Sequence, residues 1–262
     1  MNESELVLTH ILSCNRLSLY LNKDVNLGRD KSAVLSSILK RRILGEPLQY
    51  ILGKLEFMGL EFKVDSRALI PRPETEILVE AAIEKINQSG ITSPEVLDLG
   101  TGSGCIAVAI AKNFSGADVW ASDISTAALQ LAEENAGLNN VEIEFIKSDI
   151  FDALKFKNHK FDLIISNPPY VSSGELHSLS KEIFFEPQMA LKAGKDGLDF
   201  YRRIIPQAAR YLKDDGLLMF ELGLNQAYFV KEMLEKEGFE QLSLIRDYND
   251  IERIVTAKKG RI

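Results

Sequence analysis

The chain has 262 residues, 45% of them hydrophobic and 26% charged, with 31 basic against 38 acidic side chains for a net charge of −7. Those proportions belong to a folded protein with a buried core, built as one large domain or a large and a small one. They exclude disorder, collagen-like repeats and a coiled coil as whole-chain readings. The acidic balance argues against a protein that wraps nucleic acid electrostatically.

The start, Met1-Asn2-Glu3-Ser4-Glu5, is acidic where a secretory leader is basic. Residues 1 to about 46 read as short amphipathic helices. Leu6, Ile11 and Leu12 form one apolar stripe, and Val34, Leu35, Ile38, Leu39 and Ile43 another, with Gly28 and Gly45 as breaks. The segment from Phe57 to Val64 reads as a small hairpin with Phe62 and Val64 on one face. Ile70-Pro71-Arg72-Pro73 is extended, because each proline restricts the residue before it, and it leads into an N-capped helix with acids in its first turn. This linker divides the chain into a small helical domain, residues 1–66, and a large domain, residues 67–262.

From Glu95 the pattern changes to strands alternating with helices. Strands are predicted over Val96–Leu99, Val119–Ser122, Ile143–Ile146, Phe161–Ile165 and Leu217–Phe220. Helices are predicted over Ile106–Lys112, Ser125–Asn139, Tyr201–Leu212 and Gln226–Lys236. Leu242–Ile245 and Ile254–Ala257 pair as a terminal hairpin. The class is α/β, with a mostly parallel sheet covered on both faces and a ligand site beyond the carboxyl ends of its strands. The longest apolar stretch near the middle, Ile106 to Ala111, is too short to cross a bilayer. Two cysteines, Cys14 and Cys105, make no disulfide framework, and no Cys/His cluster has zinc spacing, so no metal is expected and the cytosol is the expected compartment.

Asp98-Leu99-Gly100-Thr101-Gly102-Ser103-Gly104 joins the first strand of this sheet to a helix, and Asp123 ends the next strand. A carboxylate there can accept hydrogen bonds from both ribose hydroxyls of a nucleoside. The loop is Gly-x-Gly-x-Gly rather than the dinucleotide pattern, and Asp98 at its entrance suits a cationic ligand better than a pyrophosphate. The sulfonium and amino groups of S-adenosyl-L-methionine fit that description. Asp149, at the end of the third strand, is placed to accept from the adenine amino group, and serves equally well as a turn residue.

Asn167-Pro168-Pro169-Tyr170 follows the fourth strand directly. An NH2 group conjugated to a carbonyl or ring is a poor nucleophile, since its lone pair is delocalised. The Asn167 side-chain oxygen and the Pro168 carbonyl are placed to accept its two N–H bonds and aim the nitrogen at the methyl group. The paired prolines stiffen the loop, and Tyr170 is expected to pack its ring on the flat substrate group. No general base is needed, because attack leaves a cationic product that sheds its proton easily. His10, His159 and His177 are read as surface or core residues.

The glycine loop together with Asn-Pro-Pro-Tyr resembles class I S-adenosylmethionine-dependent amino-methyltransferases, which act on adenine in DNA, guanine in ribosomal RNA or glutamine in proteins. Pro47-Leu48-Gln49-Tyr50-Ile51-Leu52-Gly53, Glu56-Phe57-Met58-Gly59, Leu69 to Glu76 and Asp247 to Arg253 are similar to the release factor glutamine methyltransferase family over nearly the whole chain. The resemblance implies a Rossmann-like, mostly parallel seven-stranded sheet with a terminal antiparallel hairpin. It implies transfer from S-adenosyl-L-methionine, leaving S-adenosyl-L-homocysteine, to the glutamine N5 of the Gly-Gly-Gln motif in class 1 peptide chain release factors, with no direct nucleic acid or membrane partner. By the same resemblance Gly100, Thr101, Gly102, Ser103, Gly104, Asp123, Asp149, Ile150 and Asn167 bind the donor. Asn167, Pro168, Pro169 and Tyr170 bind the amide, with Asn167, Pro168 and Tyr170 as the catalytic set. Ribosomal-protein glutamine methyltransferases, which differ where this chain has Arg72 to Glu76, rank second, and a nucleic-acid base amino-methyltransferase third. Two departures from the family are expected: a first helix that is shortened or absent, and Ile150 in place of an aromatic residue against the adenine, with Phe151 as a compensating wall.

Overall fold

The computed structural model describes residues 2–21, 27–153 and 159–260; residues 22–26 of the helical N-terminal reading and the side chain of His177 lie outside that description. The N-terminal part carries helices α1 (Glu3–Leu12), α2 (Arg16–Leu21), α3 (Arg29–Ile43) and α4 (Leu48–Leu52). Asn2 and Glu5 form a reciprocal cap on α1: the Asn2 side chain accepts from the Glu5 N–H at 2.9 Å and the Glu5 carboxylate from the Asn2 N–H at 3.1 Å. Val7, Ile11, Ile38 and Leu48 make a small core. Val34, Leu39 and Ile43, expected in the apolar stripe of α3, face solvent instead, Ile43 at 83% exposure. With few elements to pack on, this small domain covers only a narrow face of α3.

The hairpin is β1 (Lys54–Phe57) and β2 (Leu60–Lys63), starting three residues earlier than the sequence suggests. Phe57 and Phe62 meet edge to face, 5.9 Å apart, in one core with α5 (Pro73–Ser89) and α6 (Cys105–Asn113). The hairpin assigned by sequence to the small domain is thus packed into the core of the large one. The Asn135 side chain completes the joint, accepting from the Lys63 N–H at 2.7 Å and donating to the carbonyls of Lys63 and Ser103.

The large domain continues with β3 (Glu95–Leu99), α6, β4 (Asp118–Asp123), α7 (Thr126–Asn139), β5 (Glu144–Lys147) and β6 (Phe161–Ser166). It ends with α8 (Asp199–Ala208), β7 (Leu212–Glu221), α9 (Ala227–Lys236), β8 (Phe239–Arg246) and β9 (Glu252–Lys259). The seven-stranded sheet has the order β5-β4-β3-β6-β7-β9-β8, with β9 alone antiparallel to its neighbours. Both faces are covered, so the central strands are mostly apolar on both sides, while the edge strands β5 and β8 carry exposed polar residues. Val96, Leu163, Ile165 and Met219 face α5 and α6, while Leu97, Ile164, Leu218 and Phe220 face α8 and α9. Helix α8 stops at Ala208, four residues before its expected end. Leu212 pairs with Phe161 as the first residue of β7, so an apolar position that continues the helical pattern serves the sheet instead. Among the described residues no helix is long and apolar enough to cross a membrane.

Strand order reverses between β3 and β6, whose carboxyl ends lie side by side. The glycine loop leaves one and the Asn-Pro-Pro-Tyr loop leaves the other. A ligand crevice at that point follows from topology.

Candidate active site

A cleft of about 1040 Å³, open solvent included, occupies that crevice. Gly100, Thr101, Gly102 and Ser103 form one wall of it, and Asp123, Asp149, Ile150, Asn167, Pro168 and Pro169 line it as well. The loop is built for close approach: Gly100, Gly102 and Gly104 have φ of +74°, +56° and +82°, a region costly for any side chain with a Cβ. The carbonyl of Ser122, in β4, accepts from the N–H groups of Gly100 and Thr101 at 2.8 and 2.9 Å, so the adjacent strand holds the loop. Gly104 lies behind the loop as the N-cap of α6.

Asp123 closes this wall. Its Oδ2 accepts from the Gly102 N–H at 2.9 Å and its Oδ1 from the Ser125 N–H at 2.8 Å. Each oxygen retains a lone pair, so two vicinal hydroxyls have two fixed acceptors. Burial raises the carboxyl pKa against those backbone N–H groups.

Asp98 is not at the mouth, where the sequence reading placed it. It points into the α6 side of the sheet and is fully buried. Its Oδ2 accepts from the Thr101 hydroxyl at 2.6 Å, and Oδ1 has no partner at hydrogen-bond distance among the described residues. Burial outweighs the Thr101 hydroxyl and pushes the pKa up to about 7. The alternation of β3 decides this: Leu97 and Leu99 take the other face, so Asp98 must share one with Val96.

Other expected residues are also rearranged. Tyr170 turns away from the cleft: its ring packs on the core beside Gly223 and its hydroxyl donates to Glu221 Oε1 at 3.3 Å. Phe151 stacks on Tyr211, 4.4 Å apart and 6° from parallel, so Ile150 alone lines the cleft. Asp149 also lines it, with Oδ2 engaged by Arg203 at 2.8 Å. Of the histidines, His159 packs between Trp120 and Phe161 at the amino end of β6, and His10 sits in the last turn of α1.

The structure adds two residues that sequence reasoning passed over, Glu186 and Glu221, and gives Thr75, which the sequence suggests only as part of an N-capped helix start, a different place. Glu186, its side chain 1% exposed, accepts from the Ile70 N–H at 3.0 Å and pairs with Arg72, tying the Ile-Pro-Arg-Pro segment to the chain that carries Met189 along the cleft. Thr75 is the third residue of α5 and does not cap it; its hydroxyl donates to Glu221 Oε2 at 2.6 Å and accepts from Asn167 Nδ2 at 3.0 Å. Glu221, the last residue of β7, is 1% exposed. A carboxylate just past an apolar strand on the ligand side was the available signal; Glu186 offered none, lying in irregular chain far from its partners.

Two buried carboxyls make a stability signature. Burial lifts Glu221 to about 7, as it does Asp98. The folded protein therefore holds protons that the unfolded chain releases above about pH 4, and stability falls as pH rises from there to about 7, then levels off. Surface carboxyls with the opposite shift, Glu134 beside Arg67 and Asp196 beside Arg202, both held near 2, act only below about pH 4. Calorimetric melting temperatures should fall between pH 4.5 and 7, and Asp98→Asn should flatten the slope; a rising wild-type curve in that window contradicts the assignment.

The residues fit a nucleoside: the Asp123 carboxylate for its ribose, an apolar slot at Ile150, and a glycine-rich wall that admits close approach. Residues 1–53 match the PrmC N-terminal domain model and residues 73–198 the Methyltransferase small domain model. A release factor glutamine methyltransferase of Fusobacterium nucleatum is 41% identical over 261 residues, covering 98% of this chain and 73% of its own. One from Geobacter sulfurreducens is 41% identical over 259 residues, covering 98% and 89%. The ribosomal protein L11 methylase of Lactobacillus delbrueckii subsp. bulgaricus superposes with a TM-score of 0.52 at 25% identity, covering 74% of this chain and 82% of its own.

Proposed function

The chain belongs to the release factor glutamine methyltransferase family, and from that premise we propose that it moves a methyl group from S-adenosyl-L-methionine to N5 of the glutamine in the Gly-Gly-Gln motif of class 1 peptide chain release factors, in the cytosol. The observation that supports this reading is that Asn167-Pro168-Pro169 and the glycine loop line one and the same cleft. When bound, the donor supplies a methyl carbon made electrophilic by its sulfonium.

The chain's own residues do the rest. Asp123 would receive the ribose hydroxyls, Ile150 would lie against the adenine, and the second oxygen of Asp149 would accept from the adenine amino group. Asn167 Oδ1 and the Pro168 carbonyl would accept the two amide N–H bonds of the glutamine and so hold its nitrogen toward the donor. The amide lone pair is delocalised, and the barrier is lowered by alignment rather than by a base. Tyr170 takes no part in holding the amide directly; its hydroxyl supports Glu221.

The Arg72–Glu186 pair gives the linker a role beyond joining domains. Arg72→Ala leaves Glu186 buried with only the Ile70 N–H, and the segment loosens over the cleft. Turnover should fall by about tenfold with the fold intact by circular dichroism; unchanged turnover reduces the segment to a hinge. The function itself is tested with methyl-labelled donor offered to a class 1 release factor, a ribosomal protein and DNA. Label is expected on the release factor and lost when the motif glutamine is replaced, whereas label confined to DNA or to the ribosomal protein overturns the reading.

A further inference from the structure

We propose that Thr75 and Glu221 form a one-directional hydrogen-bond relay that fixes which end of the Asn167 amide faces the substrate. The argument rests on the glutamine reading above and extends it to two positioning residues.

A hydroxyl owns a single proton. With Glu221 ionised, as it is above about pH 7, Thr75 spends that proton on Glu221, whose Oε2 lies 2.6 Å away. The Thr75 oxygen then has only lone pairs to offer, and the group it meets must be a donor. That group is Asn167 Nδ2, at 3.0 Å. The two ends of the amide differ only in this respect, so binding Nδ2 to Thr75 leaves Oδ1 as the end presented to the cleft. The substrate amide arrives as an NH2 donor and needs an acceptor. A flipped Asn167 would set two NH2 groups against each other and leave both unpaired.

The relay is anchored at its far end. Glu221 Oε1 accepts from the Tyr170 hydroxyl, and the Tyr201 hydroxyl donates to the Glu221 backbone carbonyl at 2.8 Å. Thr75, Glu221 and Tyr201 are all at least nine-tenths buried, so water does not compete for these bonds. The three parts of the relay come from the start of α5, the end of β7 and the loop after β6, and only the assembled sheet brings them together.

The test compares Thr75→Val, which keeps the shape and removes the hydroxyl, with Thr75→Ser, which keeps the hydroxyl and removes a methyl. The relay requires valine to lower kcat by about 10- to 100-fold while donor affinity by calorimetry and the KM for release factor stay within about threefold, and serine to restore most of the rate. A packing role gives the opposite order, valine tolerated and serine impaired, and overturns the proposal. Thr75→Ala stands in if the valine variant does not fold. A second readout does not depend on turnover. In 15N-labelled protein the two Asn167 side-chain amide protons should be widely separated in shift in the wild type and in Thr75→Ser, and should converge in Thr75→Val. An unchanged separation in Thr75→Val also overturns the relay. A wild-type protein that transfers no methyl to release factor removes the functional reading, and the amide resonances then decide the relay by themselves.

Discussion

Asn167→Ala is expected to lower kcat by about 100- to 1000-fold, while the dissociation constant for S-adenosyl-L-methionine, to be measured by calorimetry, should change by less than about tenfold. The magnitude follows from what is removed: one of two fixed acceptors in a reaction that relies on alignment, equivalent to about 3–4 kcal/mol of transition-state stabilisation. The side chain donates to Thr75 through Nδ2, so its loss leaves that hydroxyl still paired with Glu221 and the fold with no buried orphan of consequence. Equal losses of binding and rate would instead mark Asn167 as a donor ligand.

Gly104→Ala is expected to damage both donor binding and stability. Gly104 caps α6 at φ +82°, and a Cβ there would sit 2.9 Å from Ala132 Cβ and 3.1 Å from Ala132 Cα, an approach no flexible side-chain end can relieve. A non-glycine residue in this left-handed conformation costs about 1–2 kcal/mol, and overpacking against α7 adds about as much again. The melting temperature should drop by about 10 °C, and the donor dissociation constant should rise at least about tenfold, because the wall from Gly100 to Ser103 is positioned by this cap. A variant that melts like the wild type and binds donor normally would show that the loop has room the geometry denies it.

The contrast between these two positions reflects how much of the site was legible beforehand. Gly104 belongs to a local pattern: a turn between a strand and a helix that must double back tightly, written in consecutive residues. Asn167-Pro168-Pro169 is local in the same way, since an apolar strand followed by two prolines must end there and present its loop at the carboxyl edge of the sheet. The strand and helix alternation from Glu95 onward is a periodicity, and periodicity survives without tertiary information. Its failures came where one pattern served two elements, as at Leu212, or where apolar residues outnumbered the surface available to cover them, as on α3.

The amino-acid sequence by itself determined the α/β class, the parallel sheet buried on both faces, and the pairing of a glycine loop with a rigid acceptor loop. Each of these is set by the spacing of residues within about ten positions of one another. Only the tertiary structure decided which way Tyr170 turns, that Glu186 clasps Arg72, and that Thr75 bridges Glu221 and Asn167. Those outcomes depend on partners 51 to 146 residues apart in the chain, and hydrogen bonds between buried polar groups are chosen by which groups the packed layers leave within reach of one another.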